Sequence, residues 1–187
     1  MATHLATALP SPRERLLEAA AELFAEHGYQ AIGLRDLASH LGLQPGSLYH
    51  HIDNKQALLF ELIESGLSDL VQHTSQRLKG ARSPGKRLEL FVRGFMEFHA
   101  EQPHPLSLIC REFANLDEGQ KRRIVGLKEQ YSALLRGIVG DAEGGMADAV
   151  IGLLFGQTHW YSAAASEAQM SEGVRRLVGL ACAVRST

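Results

Sequence analysis

The stretch "LRDLASHLGLQPGSLYHHIDNKQALL", Leu34 to Leu59, sets two very short apolar-periodic pieces on either side of Gly42 and then starts a fresh apolar run. Helices shorter than about 12 residues are marginal alone in water. Pieces this small need longer helices to hold them, in a fold that wants them at a sharp angle. Leu34, Leu37, Ala38 and Leu41 share one face of the first piece, predicted over 34–41. Pro45 opens the second, predicted to run to His51, because a proline at the first helical position sacrifices no bonded N–H. Gly42 permits a left-handed turn between them. Ala38 is small where the two would cross, and Leu37, Leu41, Leu43 and Leu48 supply a core that joins the pair.

The remainder of the chain also carries helical spacing. Ser11, Pro12 and Glu14 make a capping box for a helix over 12–27, with Gly28 as its stop. Asp53 or Asn54 caps a long fourth helix through Leu58, Leu59, Leu62, Ile63, Leu67, Leu70 and Val71, fading near Gly80. "GARSPG" (80–85) is the best candidate for a boundary between subdomains. Beyond it, helices are expected at 85–101, 105–115, 118–139, 145–165 and 171–184. Asp117 with Gln120 forms a second cap-box pattern, and Ile124, Leu127, Tyr131, Leu134, Leu135 and Ile138 form an apolar stripe behind it. No run of four or more residues alternates convincingly as a strand. The expectation is an all-α chain of about nine helices, with a disordered arm over residues 1–10, a three-helix domain over 11–56 and a second helical domain over 57–187.

Composition excludes several classes. A length of 187 residues allows one or two domains, and 45% apolar content is enough for a real core. The net charge of −2 argues against a polybasic tail or a membrane-surface protein. Two cysteines, Cys110 and Cys182, are too few for a disulfide framework and read as reduced thiols. "MATHLATALPSP" lacks the pattern of a secretory signal, and no window approaches the run of about 20 apolar residues of a membrane helix. A soluble, cytoplasmic protein with no membrane partner is expected. The sequence holds no phosphate loop, nucleophile elbow, paired carboxylates or metal-ligand spacing, so no enzyme, metal or cofactor is expected. His99 and His104 near Cys110 suggest a Cys–His pair, but "PHP" breaks the helix there and nothing fixes the geometry.

Two short helices joined by a tight glycine turn make a helix-turn-helix. The second helix would expose Gln44, Gly46, Ser47, Tyr49 and His50 beside Pro45, groups able to donate to phosphates or reach base edges. Arg35 and Lys55, the latter at the start of the fourth helix, are the expected further contacts to DNA. "LLEAAAELFAEHGYQAIGLRDLASHLGLQPGSLYHHIDNKQALL", residues 16–59, resembles the tetracycline-repressor (TetR) family of regulators, with "GLxPGSLYHH" and "NKQALL" the most order-specific parts. The resemblance implies a three-helix DNA-binding domain, a helical ligand-binding and dimerisation domain, a homodimer on a palindromic operator in double-stranded DNA, and release by a small-molecule effector. Gly33 departs from the Thr or Ser usual before the second helix. The charges across 34–55 also cancel: Arg35 and Lys55 against Asp36 and Asp53. A neutral reading surface implies weak non-specific binding and a shallow salt slope, with His40, His50 and His51 as groups that can gain charge beside phosphate.

In the second domain, Gly152 and Gly156 would let another helix approach closely, and the segments 145–165 and 171–184 are the expected dimer face, with plain intrachain packing as the alternative. An effector cavity would lie between the middle helices, with apolar walls and a few polar groups. Its candidate residues are Phe95, His99, Cys110, Arg111, Phe113, Tyr131, Gln157, Trp160 and Tyr161, with Phe91, Phe98, Leu108, Leu135, Phe155 and His159 as further candidates. Arg111 beside "LSLIC" must be paired or solvated if buried, and Glu112 or Glu97 is its expected partner. "LFGQTHWYSAAASEAQMSEGVRRLV", residues 154–178, is similar to a branch whose members sense acyl-CoA or steroid-ring CoA thioesters. The leading reading is a ligand-responsive repressor, and the alternative is a helical DNA-binding or interaction protein without ligand response.

Overall fold

The computed structural model describes residues 11–50, 52–141, 145–160 and 166–184, with side chains except those of 157–160 and 180–184. The N-terminal arm and His51 lie outside the described residues. Among the described residues there are nine α-helices, one 3-10 turn and no strand. The helices are α1 (Pro12–His27), α2 (Leu34–His40), α3 (Pro45–Leu48), α4 (Lys55–Leu78), α5 (Pro84–Glu101), α6 (Pro103–Arg111), α7 (Glu118–Val139), α8 (Gly145–Trp160) and α9 (Glu167–Val184). The chain divides into two compact units between Leu62 and Ile63. The division falls inside α4, a place that no loop composition marks.

Local chemistry sets the first unit. Ser11 and Glu14 close the capping box of α1, with the Glu14 amide donating to Ser11 Oγ at 3.2 Å and the Ser11 amide to Glu14 Oε2 at 2.6 Å. Those hydrogen bonds hold the Glu14 carboxyl below its ordinary range. Gly28, at φ +87°, ends the helix. α2 has no hydroxyl cap, but Asp36 substitutes from inside the helix: its Oδ2 accepts the Gly33 amide at 2.7 Å. α3 is shorter than the sequence predicts. It ends at Leu48, and Tyr49 and His50 form a turn from which the Ile52 amide reaches Leu48 O at 3.1 Å. Ile52, one turn beyond the buried Leu48, is itself buried. Asn54 caps α4, accepting the Ala57 amide at 2.8 Å.

In the second unit, α5 packs on α7 and α9, α7 on α8, α8 on α9, and α6 on α5 and α8. "GARSPG" is the α4–α5 loop within this unit, with Gly80 at φ +80° and Ser83 capping α5. Pro103 and Pro105 do not prevent a helix: both sit in the first turn of α6, where proline removes no bonded N–H. α6 stops at Arg111, and 113–115 follow as the 3-10 turn. α7 has the expected Asp117–Gln120 box, at 2.8 and 3.0 Å. α9 begins four residues earlier than the 171 start predicted, because Ser166 and Gln169 form another such box. Gly66 of α4 meets Pro105 of α6 so closely that a Cβ at 66 would overlap the proline ring. The core runs through Leu67, Leu70, Phe91, Phe95, Ile124, Tyr131, Leu135, Val150 and Leu154.

Candidate nucleic-acid interface and ligand cavity

In the first unit, Gly42 at φ +66° turns the chain between α2 and α3, and the Leu43 amide donates to Ala38 O at 2.8 Å. Leu37, Ala38 and Leu48 are fully buried and hold the two helices together. The opposite face is open. Arg35, Gln44, Pro45, Gly46, Tyr49 and His50 are exposed there, and Ser47 is half-buried. Tyr49 is 62% exposed, a large aromatic surface with no cover inside the unit. Gly46 has no atom within 4 Å of the position its Cβ would take, so the helix backbone itself is approachable.

Lys55 is held differently from a free surface lysine. Its ammonium lies 4.1 Å from the centre of the Tyr29 ring and 5.9 Å from that of Phe24, a cation–π arrangement that fixes where the charge sits. Tyr29 and Phe24 meet edge to face at 5.3 Å, so the aromatic pair that fills the core also seats the cation. Beside this face Arg13 pairs with Glu61 at 2.5 Å, joining α1 to α4. Arg13, Tyr49, His50, Asp53 and Glu61 surround a polar cleft of about 290 Å3. Asp53 and Glu61 bring two carboxylates to this cleft beside Arg13.

The second unit contains a separate cavity of about 370 Å3. Its floor is Leu67 of α4, Ile109 of α6 and Tyr131 of α7, all buried, and its rim includes Cys110, Phe113, Lys128 and Ser132. Ile151, Gly152 and Phe155 of α8 complete the wall. Of the expected ligand residues, the structure brings Cys110, Phe113 and Tyr131 together here. Phe95 is fully buried behind the wall, its ring 5.0 Å from Phe155, and His99 stacks on Phe95 at 6.3 Å. Arg111 is exposed at the end of α6, and Glu97 pairs instead with Arg77 at 2.5 Å. The side chains of Gln157 and Trp160, and all of Tyr161, lie outside the described residues.

Lys128 was not foreseen. Its Nζ lies 4.3 Å from the centre of the Phe113 ring, and burial pushes the ammonium below its ordinary value. Burial also raises the nearby Cys110 thiol, with Lys128 opposing, although part of that residue is open to solvent. The signal available in the sequence was position: Lys128 sits three and four residues from Tyr131 and Ser132 on one helix, hence on the same face. Behind the floor, burial drives the Tyr131 phenol up, with Thr74 opposing, and neither hydroxyl oxygen has a well-formed hydrogen bond among the described residues. No group of three His, Cys, Asp or Glu side chains suited to a metal occurs among the described residues. Nor is any described helix long and apolar enough to cross a membrane.

A two-turn helix, a glycine turn and a minimal third helix with an exposed tyrosine define a helix-turn-helix protein with an attached cavity-bearing helical unit. Comparison with known families agrees. Residues 16–62 match the family of bacterial regulatory proteins of the tetR type, and residues 81–168 match the tetracyclin repressor-like C-terminal domain. The chain belongs to the TetR family. The HTH-type transcriptional repressor KstR2 of Mycobacterium tuberculosis is 38% identical over 95 residues, covering 49% of this chain and 48% of that protein. The chain thus matches about half the length of this curated relative. The structure of KstR2 from the same organism aligns with a TM-score of 0.79 at 22% identity, covering 91% of this chain and 95% of the other. AibR, solved in complex with isovaleryl coenzyme A and operator DNA, aligns with a TM-score of 0.76 at 22% identity, covering 90% and 96%. These structural likenesses establish a shared fold.

Proposed function

We propose that the protein is a cytoplasmic, ligand-responsive transcriptional repressor that binds a palindromic operator as a homodimer and is released by a small amphipathic effector. The observation that carries this reading is the exposed face of α3 and its following turn, where Tyr49 stands 62% open within the segment matching the family's DNA-binding part. Gln44, Ser47, Tyr49 and His50 would read the groove, with Pro45 and Gly46 allowing the backbone close to it. Arg35 and the ring-seated Lys55 would contact phosphate. A domain division near residues 56–62 fits this assignment of roles.

The exposed Leu153 on α8 supports a dimer face built with α9, and twofold symmetry suits a palindrome. The cavity in the second unit favours an effector over the alternative of a binding protein without ligand response, since a filled core would leave no such space. Curated relatives named as repressors support repression, and the acyl-CoA bound to AibR supports an effector with an acyl body. Footprinting the purified protein on the DNA upstream of its own gene tests the reading. Protection of a palindrome, relieved by an extract of the cells, is expected; the absence of any protected palindrome would remove the proposal's main support.

A further inference from the structure

We infer that the cavity of the second unit takes a small carboxylic acid, with its carboxylate held at the rim by Lys128 and Ser132 and its apolar body on the floor of Leu67, Ile109 and Tyr131. The inference rests on the effector reading above and adds the chemical class of the ligand. Lys128 is the one cationic residue among those lining the cavity, and the remaining wall is almost wholly apolar. Three of the other four cations of α7 find carboxylates: Lys121 pairs with Glu118, Arg123 with Glu64, and Arg136 with Glu129, while Arg122 is exposed to solvent. Among the described residues Lys128 forms no ion pair and rests on the Phe113 ring instead. The Cys110 thiol does not neutralise it, because burial favours the protonated form. A partly buried cation without a counter-ion is costly, and an anionic ligand supplies what is missing.

Size and spacing choose the acid over a larger anion. A volume of about 370 Å3 holds about a dozen water-sized groups at about 30 Å3 each. Octanoic acid is of that size. Lys128 lies within one turn of both Tyr131 and Ser132, so charge, hydroxyl and floor fall within about 5–6 Å along one helix face. A carboxylate is carried on the apolar body itself. In a coenzyme A thioester the acyl carbonyl is uncharged and the phosphates lie a pantetheine arm away, which leaves the ammonium uncompensated when the tail is on the floor.

Calorimetric titration of the full-length protein with octanoate, 1-octanol and octanoyl-CoA tests this. Octanoate is expected to bind at least about tenfold more tightly than octanol, the margin of one charge-assisted hydrogen bond in a partly buried site. Lys128→Gln should erase that margin and leave octanol binding in place, which also shows that the cavity has stayed folded; Lys128→Arg should keep the preference. Equal binding of acid and alcohol, or equal loss of both in Lys128→Gln, overturns the inference alone. Binding of octanoyl-CoA without octanoate overturns it in favour of a thioester ligand. If none of the three probes binds, the carboxylate assignment falls, and failure of cell extract to relieve the footprint would show that the effector reading has fallen with it.

Discussion

The helix caps and the turn that shape the reading surface of the first unit close over three to five residues, whereas the cavity of the second is built by residues dozens apart. In the first, Ser11 with Glu14, Gly33 with Asp36, Asn54 with Ala57 and Leu43 with Ala38 each close a short loop. In the second, the cavity exists only because Leu67, Ile109, Tyr131 and Phe155 arrive from four different helices. The difference teaches where substitutions act. A change in the first unit disturbs one cap or one reading residue, while a change at the centre of the second disturbs several helices together.

The sharpest test of that contrast is Tyr131. Truncation to alanine removes a fully buried ring packed 4.9 Å from Phe91 and should destabilise the protein by about 3–5 kcal/mol in urea or thermal unfolding. Tyr131→Phe removes only a hydroxyl that lacks a well-formed hydrogen bond, so its stability should be unchanged or slightly raised. A loss above about 1 kcal/mol in the phenylalanine variant would mean that the hydroxyl is properly bonded. Next in size is Tyr49→Ala. On the proposed dimer, with both halves of a palindrome affected at about 1–3 kcal/mol each, operator affinity should fall about 30-fold or more while sedimentation still reports the dimer. Dissociation of the dimer in that variant would show that Tyr49 has been assigned to the wrong surface.

Gly66→Ala comes third. The new methyl group cannot avoid the Pro105 ring, and overpacking of this kind costs about 1–3 kcal/mol. An unchanged melting temperature would show that α6 yields freely there. The smallest effect belongs to the first unit. Gly33→Ser offers a hydroxyl cap worth a few tenths of a kcal/mol over glycine. Its Cβ, however, would stand 3.1 Å from the Asp36 carboxylate that already caps the helix. The net change should stay within about 0.5 kcal/mol, whereas Asp36→Ala should lose about 1 kcal/mol. A further operator measurement bears on the neutral reading surface: affinity should fall only shallowly as salt rises, and a steep salt slope would show that cations outside 34–55 carry the contact.

The same contrast explains which parts of the structure are legible in the sequence. Helix α1 and helix α7 were legible to the residue, because S-P-x-E and D-x-x-Q name a helix start and Gly28 and Gly140 name a stop. The start of α9 is just as legible in Ser166 and Gln169, although the apolar run behind it begins only at Val174. The end of α3 was not legible: Tyr49 and His50 continue a helical pattern locally, and no glycine or proline between Leu48 and Asp53 marks a stop. The candidate reading residues were visible because exposure on so short a helix follows from its one buried leucine, Leu48. The cavity was half visible. Apolar spacing points to Tyr131 and Phe113, but it cannot distinguish Phe95 behind the wall from Phe155 on it, nor show that Lys128 faces inward among the charged residues of α7.

The contact between Gly66 and Pro105 has a consequence for how this chain can change over time. Position 66 can gain a side chain only if the ring at 105 is lost or α6 moves away. The two positions, 39 residues apart, are therefore one evolutionary unit. In an alignment of the family they should covary, with glycine at 66 wherever proline holds 105 and freedom at both only where the proline has gone.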